Sequence, residues 1–143
     1  MKNKIISLIL FVSHVFAVGE AGAIFLLIAP GASAAGTGEA QVAKVDDSYA
    51  SYYNPAGLGF QSRSGFSGMH VNWLPNLADD LYYEFLAFKQ PIGYGTIGGH
   101  LIYLNLGEQQ GMDEFGNPTE TFKSMMWAAS ASYGAKLTSS SSI

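Results

Sequence analysis

The stretch FKSMMWAASASYGAKL, residues 122–137, places apolar side chains at every second position. Successive side chains of a β-strand point to opposite faces of the sheet, so this alternation predicts a strand rather than a helix. One face carries Met125, Trp127, Ala129, Ala131, Tyr133, Ala135 and Leu137. The opposite face carries Ser124, Met126, Ala128, Ser130, Ser132, Gly134 and Lys136. The pattern therefore predicts an apolar surface on one side and mostly small or polar side chains on the other.

Three earlier segments, residues 65–74, 81–89 and 94–106, show the same period of two. The second segment has apolar side chains on both faces, and the third blurs into Ile102, Leu104 and Leu106 after His100. All four segments have about the 9 to 11 residues that a tilted transmembrane strand requires. We therefore predict four strands of this length.

The connections between these segments alternate in length. Residues 90–93 and the residues after Leu137 have the composition of tight turns, residues 74–80 are of moderate length, and residues 107–121 form a long polar connection. Short turns on one side and longer loops on the other are typical of outer-membrane barrels. The strand pattern alone leaves a soluble antiparallel sandwich equally open.

The composition favours a β-rich exported protein. Only 13% of the residues are charged, against about 25% in typical soluble domains. The chain has 17 glycines, 8 tyrosines, 9 phenylalanines and no cysteine, which excludes disulfides, thiolate metal sites and cysteine nucleophiles. Its net charge is −4, which disfavours nucleic acid as a partner.

Residues 1–17 have the pattern of a secretory signal peptide, with Lys2 and Lys4 followed by an apolar run that ends in Ala17. We expect cleavage after Ala17, with Ala21 as the second choice. The alternative is an uncleaved membrane anchor, but the run is shorter than the ~20 residues that a helix needs to span a bilayer. Export, low charge and aromatic strand ends together favour the barrel.

The predicted fold class is therefore all-β: the N-terminal part of a transmembrane antiparallel β-barrel with about four strands, preceded by an irregular or partly helical segment. We assign residues 1–17 to the signal peptide, 18–61 to the N-terminal segment and 62–143 to the first barrel strands. Spanning barrels have at least about eight strands. The chain is therefore expected to be an N-terminal fragment whose C-terminal strands are missing. Within the N-terminal segment, residues 24–28 form a short apolar, strand-like piece.

Asn54, Pro55, Ala56 and Gly57 interrupt a stretch rich in aromatic residues. Pro55 fixes φ and lacks an N–H, and Gly57 allows a turn. We predict a sharp redirection of the chain, with Asn54 at the cap position of one helical turn and Pro55 in its first position. A surface turn without any function is the simpler alternative.

Residues 29–60 resemble the N-terminal signature of the PorV/PorQ family of outer-membrane proteins, which belongs with the FadL-like barrels. The shared features are a glycine-rich stretch over residues 31–38, the acidic pair Asp46 and Asp47 followed by Tyr49, and the Asn54 to Gly57 motif. Residues 73–109 are similar to the first hairpins of the PorV branch. The resemblance implies a FadL-like barrel in the cell outer membrane, with residues 18–61 at or inside its lumen.

The resemblance also implies a function. Proteins of the PorV type serve type IX secretion: they bind exported cargo and pass it to the surface attachment complex. The implied partners are outer-membrane lipid, secreted cargo proteins, and attachment or translocon components. A FadL-like porter for hydrophobic small molecules and a soluble periplasmic β-domain are the alternatives.

The long connection supplies the candidate partner-contact residues, with apolar side chains among acidic ones: Met112, Asp113, Glu114, Phe115, Pro118 and Glu120. A solvated loop without a partner is an equal alternative. The acidic residues lack the spacing of a calcium-binding loop. The motif GYGTIG, residues 93–98, begins a predicted strand rather than a helix, so we do not assign it to a dinucleotide. No residues form a recognisable catalytic set, and we predict neither enzyme activity nor a cofactor.

We predict that export removes residues 1–17, because their apolar run is too short to span and ends in small residues. Mass spectrometry of the N-terminal peptide from the membrane fraction should find residue 18 first. Recovery of an intact Met1 from that fraction would contradict cleavage.

Overall fold

The computed structural model describes residues 22–76, 78 and 80–143, so the predicted signal peptide lies outside the described residues. Four strands form one antiparallel sheet in chain order. They are β1 (Gly65–Asn72), β2 (Leu81–Ile92), β3 (Gly95–Met112) and β4 (Pro118–Gly134). The predicted all-β fold with four antiparallel strands is confirmed. None of the described helices is long and apolar enough to cross a bilayer.

The sheet has two different ends. At one end, which we call the turn end, only Gly93 and Tyr94 connect β2 to β3, and the chain reverses again after β4. At the other end, the loop end, lie the β1–β2 connection and the β3–β4 hairpin. The predicted alternation of short and long connections is therefore present.

The predicted long loop over residues 107–121 is wrong. β3 continues to Met112 and β4 begins at Pro118, so most of these residues belong to a long hairpin. Glu108 pairs with Lys123, and Gln110 pairs with Thr121. Polar side chains cover both faces here, so the sequence shows no hydrophobic period even though the backbone is paired.

The N-terminal segment covers one face of the sheet, which we call the inner face. It contains a 3₁₀ helix (Ile24–Leu27), the helices α1 (Ala32–Gly36) and α2 (Ala50–Tyr53), and a second 3₁₀ helix (Pro55–Phe60). The strand-like assignment of residues 24–28 is wrong. Phe25 turns into the core while Ile24 and Leu27 stay exposed, an arrangement that a compact helical turn allows.

The core lies between this segment and the middle of the sheet. Its buried members are Phe25, Tyr83, Phe85, Ala87, Ile102 and Leu104. Tyr49 stacks on Phe85 with ring centroids 5.2 Å apart. The N-terminal segment covers the inner face around Ile102 and Leu104, so apolar side chains are stable there. The alternation of apolar and polar residues therefore blurs in this part of β3.

Three tyrosine hydroxyls fasten the start of the N-terminal segment, two of them from its own helix α2 and one, that of Tyr83, from β2. Tyr52 donates to the carbonyl oxygen of Leu26 at 2.7 Å, Tyr83 to that of Ile28 at 3.1 Å, and Tyr53 to that of Pro30 at 2.6 Å. These carbonyls follow each other at every second residue. We call the three bonds the tyrosine clamp.

The Asn54 to Gly57 motif redirects the chain from α2 toward β1. Pro55 is the first residue of the second 3₁₀ helix, and Asn54 before it has an extended backbone. The Asn54 side chain makes no cap hydrogen bond and instead donates to the carbonyl of Val42 at 2.9 Å. Gly57 is needed for space rather than for φ, because a Cβ there would overlap the Val45 side chain.

The same 3₁₀ helix rests on the sheet at its turn end. Leu58 is fully buried, and a Cβ on Gly98 would lie 2.9 Å from its side chain. A Cβ on Gly134 would lie 2.7 Å from the carbonyl oxygen of Pro55. Glycines in β3 and β4 therefore let the helix approach the strands closely.

Replacing Tyr53 with phenylalanine should loosen the tyrosine clamp, because the carbonyl of the buried Pro30 loses its donor. The free energy of unfolding should fall by about 1 to 3 kcal/mol. Hydrogen–deuterium exchange of the full-length protein should speed up in the peptide around residues 24–30. Tyr94→Phe is the control, because its side chain is 95% exposed; equal exchange in both variants would contradict the clamp.

The clamp should also respond to alkaline pH. Burial raises the pKa of Tyr52, and it raises that of Tyr53 to about 12. Because folding raises these pKa values, the two neutral tyrosines stabilise the fold at pH values below about 10, their pKa in the unfolded chain. This contribution to stability is lost as the pH rises through their pKa in the folded protein. The protection of residues 24–30, measured as the exchange rate relative to the intrinsic rate at the same pH, should therefore fall between about pH 10 and 12. An equal fall in Tyr53→Phe, which lacks this hydroxyl, would contradict the role of Tyr53 ionisation.

Candidate partner-contact surface

The six candidate residues lie together at the end of the β3–β4 hairpin. Pairing between β2 and β3 ends at Leu81 and Leu106, so residues 107–123 project beyond β2 as a two-stranded ribbon. Six residues of β3 at about 3.3 Å each give a projection of about 20 Å. All six candidates are exposed: Met112, Asp113, Glu114, Phe115, Pro118 and Glu120.

A bulge marks the base of this projecting hairpin. The register of β3 against β4 shifts between Asn105 and Glu108, and Gly107 between them has φ +70°. The Asp80 carboxylate accepts a hydrogen bond from the Glu108 N–H at 2.7 Å, and the Asn105 side chain donates to the Asp80 carbonyl at 3.0 Å. A Cβ on Gly107 would overlap this carboxylate. Asp80 thus ties the base of the hairpin to the start of β2.

A tight turn organises the tip. The Asp113 carbonyl accepts the Gly116 N–H at 3.0 Å, and Gly116 has φ +80°, as expected for a three-residue hairpin loop closed by a glycine bulge. One Asp113 carboxylate oxygen accepts the N–H groups of Phe115 and Asn117 at 2.9 and 2.8 Å, and the other accepts the Asn117 side-chain amide at 2.9 Å. These bonds lower the pKa of Asp113.

This turn leaves Glu114 and Phe115 at the two central positions of the tip. Phe115 is 82% exposed, and the neighbouring Met112 is 62% exposed. The turn already orders the backbone that carries Phe115, so this backbone loses little conformational freedom when the ring binds a partner. The tip therefore combines exposed apolar surface with a defined backbone.

The hairpin is strongly acidic. Residues 107–123 contain four carboxylates and one ammonium group, so the net charge is 1 − 4 = −3. Lys123 pairs with Glu108 at 2.8 Å, which leaves the charges of Asp113, Glu114 and Glu120 near the tip. Such a surface favours positively charged partners and repels acidic ones.

Sequence reasoning identified the tip residues but missed Asp80 and Gly107. Asp80 belongs to a moderate connection far from the hairpin in sequence, and Gly107 was assigned to a loop in which glycine is unremarkable. A glycine directly after the apolar alternation of residues 101–106 is the available signal, because glycine within a strand often marks a bulge.

The remaining polar motifs lie elsewhere on the sheet. His70 on β1 contacts Glu84 at 2.8 Å on the outer face, while His100 on β3 contacts the Ser51 hydroxyl at 3.1 Å on the inner face. The GYGTIG motif forms the β2–β3 turn and continues as β3. A strand therefore follows it where a dinucleotide site needs a helix.

A comparison with protein-family models matches residues 16–143 to the family described as "Type IX secretion system protein PorV". The match covers nearly the whole chain, including the N-terminal segment and all four strands. Comparisons with curated proteins and with solved structures found no match.

Replacing Asp113 with alanine should loosen the tip, since it removes the acceptor of three hydrogen bonds. Chymotrypsin should then cleave after Phe115 faster than in the unchanged protein. Glu114→Ala is the matched control, because it removes a neighbouring carboxylate that the turn does not use. Equal cleavage rates in the two variants would contradict the structural role of Asp113.

The turn at the hairpin tip should lose stability at acid pH. Because folding lowers the pKa of Asp113, the bonded turn is stabilised above the unfolded value of about 3.9 and loses this support as the pH falls through the lower folded value. The amide proton shifts of Phe115 and Asn117 should report the loss in a titration by NMR. Shifts that follow an ordinary aspartate titration would show that the bonds are not made in solution.

Proposed function

The chain belongs to the PorV family of type IX secretion system proteins, and we propose that it is a noncatalytic outer-membrane barrel component that binds exported cargo and passes it to the surface attachment complex. Its partners are outer-membrane lipid, secreted cargo, and attachment or translocon components. The barrel is of the FadL-like type, and the N-terminal segment, residues 18–61, lies at or inside its lumen. A cleaved signal peptide, residues 1–17, directs the chain to the membrane.

The projecting hairpin is the observation that carries the recognition role. It extends beyond β2, its base is tied to Asp80, and its tip turn is closed by Asp113. Wall strands of a barrel are committed to pairing with their neighbours and to lipid, so recognition falls to the parts that project. The candidate contact residues are Met112, Asp113, Glu114, Phe115, Pro118 and Glu120.

The chemistry of the tip indicates how such a partner would be held. Aromatic side chains, phenylalanine among them, are enriched in protein interfaces, and the residues that dominate binding energy are those that become fully buried. The surrounding carboxylates would guide a basic surface toward it and set its orientation. Phe115 is therefore the proposed anchor, with Asp113, Glu114 and Glu120 as the steering charges.

We test this role with Phe115→Ala in the full-length protein, measuring barrel abundance together with cargo release and surface attachment. Loss of an anchoring ring should cost about 2 kcal/mol of binding free energy, so attachment should fall while abundance stays normal. Tyr94→Ala is the control, because this ring is even more exposed than that of Phe115 but lies at the opposite end of the sheet.

A second variant replaces residues 107–123 with a two-residue turn that joins the remaining strands. Normal attachment of cargo by a normally abundant barrel would eliminate the hairpin as the recognition element. If uptake of hydrophobic compounds falls instead, while secretion is unchanged, the porter alternative gains the support that the secretion role loses.

A further inference from the structure

Cross-strand neighbours form rows that run across all four strands. Among the rows that cross all four strands, the two outer rows nearest the turn end carry only apolar residues or glycine: Phe66, Phe88, Gly99 and Ala131, then Gly68, Leu86, Leu101 and Ala129. We call these the turn-end rows. The next two outer rows, the loop-end rows, are His70, Glu84, Tyr103 and Trp127, then Asn72, Tyr82, Asn105 and Met125. A further outer row at the turn end crosses only β2, β3 and β4 and consists of Gln90, Ile97 and Tyr133.

The inner face shows the reverse order. Near the turn end its rows carry mostly small or polar side chains: Gly65, Lys89, Gly98 and Ser132, then Ser67, Ala87, His100 and Ser130. Nearer the loop end they become apolar: Met69, Phe85, Ile102 and Ala128, then Val71, Tyr83, Leu104 and Met126. The apolar surface of the sheet therefore changes sides about halfway along the strands.

Each apolar half needs a different cover. At the loop end the apolar inner face packs against Phe25, Ile28, Tyr49 and Tyr52 of the N-terminal segment. At the turn end the apolar outer face remains open, with Phe66 71% exposed and Phe88 46% exposed. An apolar outer face over a small, polar inner face is the pattern of a wall in lipid, whereas the loop-end half has the pattern of a sheet whose outer face meets water.

The polar outer row at the boundary is internally bonded. His70 contacts both Glu84 at 2.8 Å and Asn72 at 3.1 Å, and all three lie on the outer face. Placing such a group among acyl chains is costly, whereas at the membrane surface it is tolerated. Tyr82, Tyr103 and Trp127 lie in the same two rows, as in the aromatic girdles that flank the apolar band of barrels.

We infer that lipid acyl chains cover only the turn-end half of this outer face, and that the bilayer ends at the row of His70, Glu84, Tyr103 and Trp127. The loop-end half and the projecting hairpin then stand in water. This inference rests on the proposed outer-membrane location, and it adds how deeply the four-stranded sheet is embedded in the bilayer.

The height of the turn-end half is about 5 Å less than that of the apolar band of known barrels. Glu84 to Ile92 spans eight residue steps of β2, about 27 Å along a strand and about 20 Å in height when the strand is tilted by about 40°. The apolar band of known barrels is about 25 Å tall. β3 has 18 residues, and the part from Tyr103 to its last residue, Met112, extends about 30 Å along the hairpin, or about 23 Å in height at the same tilt. The tip is thereby carried well clear of the lipid headgroups.

Single nitroxide labels on β4 test where along the strand the bilayer ends. The 143 residues contain no cysteine, so Ala131, Ala129, Met125 and Thr121 are changed to cysteine one at a time in the full-length protein. The labelled proteins are reconstituted into vesicles of phosphatidylethanolamine and phosphatidylglycerol. Oxygen concentrates among acyl chains while a nickel chelate stays in water, so their relative access to each label reports its depth. Ser132→Cys is the inner-face control, because its hydroxyl faces Ser51 at 3.4 Å.

We expect preferential access of oxygen at Ala131 and Ala129, preferential access of nickel at Met125 and Thr121, and no oxygen preference at Ser132. Preferential oxygen access as far as Thr121 would overturn the inferred level while leaving the membrane location intact. Exclusion of both reagents from Ala129 and Ala131 would mean that protein rather than lipid covers the turn-end rows, which also overturns it. Failure of the protein to float with the vesicles would reject the proposed outer-membrane location itself.

Discussion

The packing of the Phe85 ring is the interaction on which the rest of the structure depends. The ring is fully buried, stacks on Tyr49, meets the edge of Tyr52, and stacks on His100 of the neighbouring strand. A single side chain of β2 thus joins the N-terminal segment to the middle of the sheet. An aromatic cluster of this kind buries a large area and restricts geometry, because rings pack well in only a few arrangements. The position of α2 follows from it, and the tyrosine clamp then fixes residues 26–30.

This contact also explains why the inner face is not uniformly polar. A barrel whose lumen holds only water would need polar side chains along the whole inner face. Here the N-terminal segment supplies Phe25, Tyr49 and Tyr52, so the strands beside it can carry Ile102 and Leu104. Away from that cover, the inner face returns to Ser130 and Ser132. The alternation thus blurs in β3 where the N-terminal segment packs against the inner face.

The sequence predicted the strands and their faces well, because the period of two survives wherever one face is apolar and the other is not. Trp127 and Tyr133 are exposed on the outer face, while Ser132 contacts the N-terminal segment. The ends of β3 and β4 could not be predicted, because Glu108, Gln110 and Thr121 pair through their backbones with polar side chains on both faces. The role of Asp80 also had no local signal, since it exists only when β3 passes the start of β2.

The N-terminal segment also contacts the reversal of the chain after β4. After β4 the chain reverses, and Ala135 and Ile143 exchange two backbone hydrogen bonds of 2.7 and 2.9 Å. The hydroxyl of Ser142 in this reversal donates to the carbonyl of Ala56 at 2.7 Å, within the second 3₁₀ helix. Register in a sheet is set by the geometry of its turns, and an unpaired edge in lipid is costly. The Asn54 to Gly57 motif therefore does more than redirect its own chain, because the helix that it begins is hydrogen-bonded to the reversal of the chain after β4.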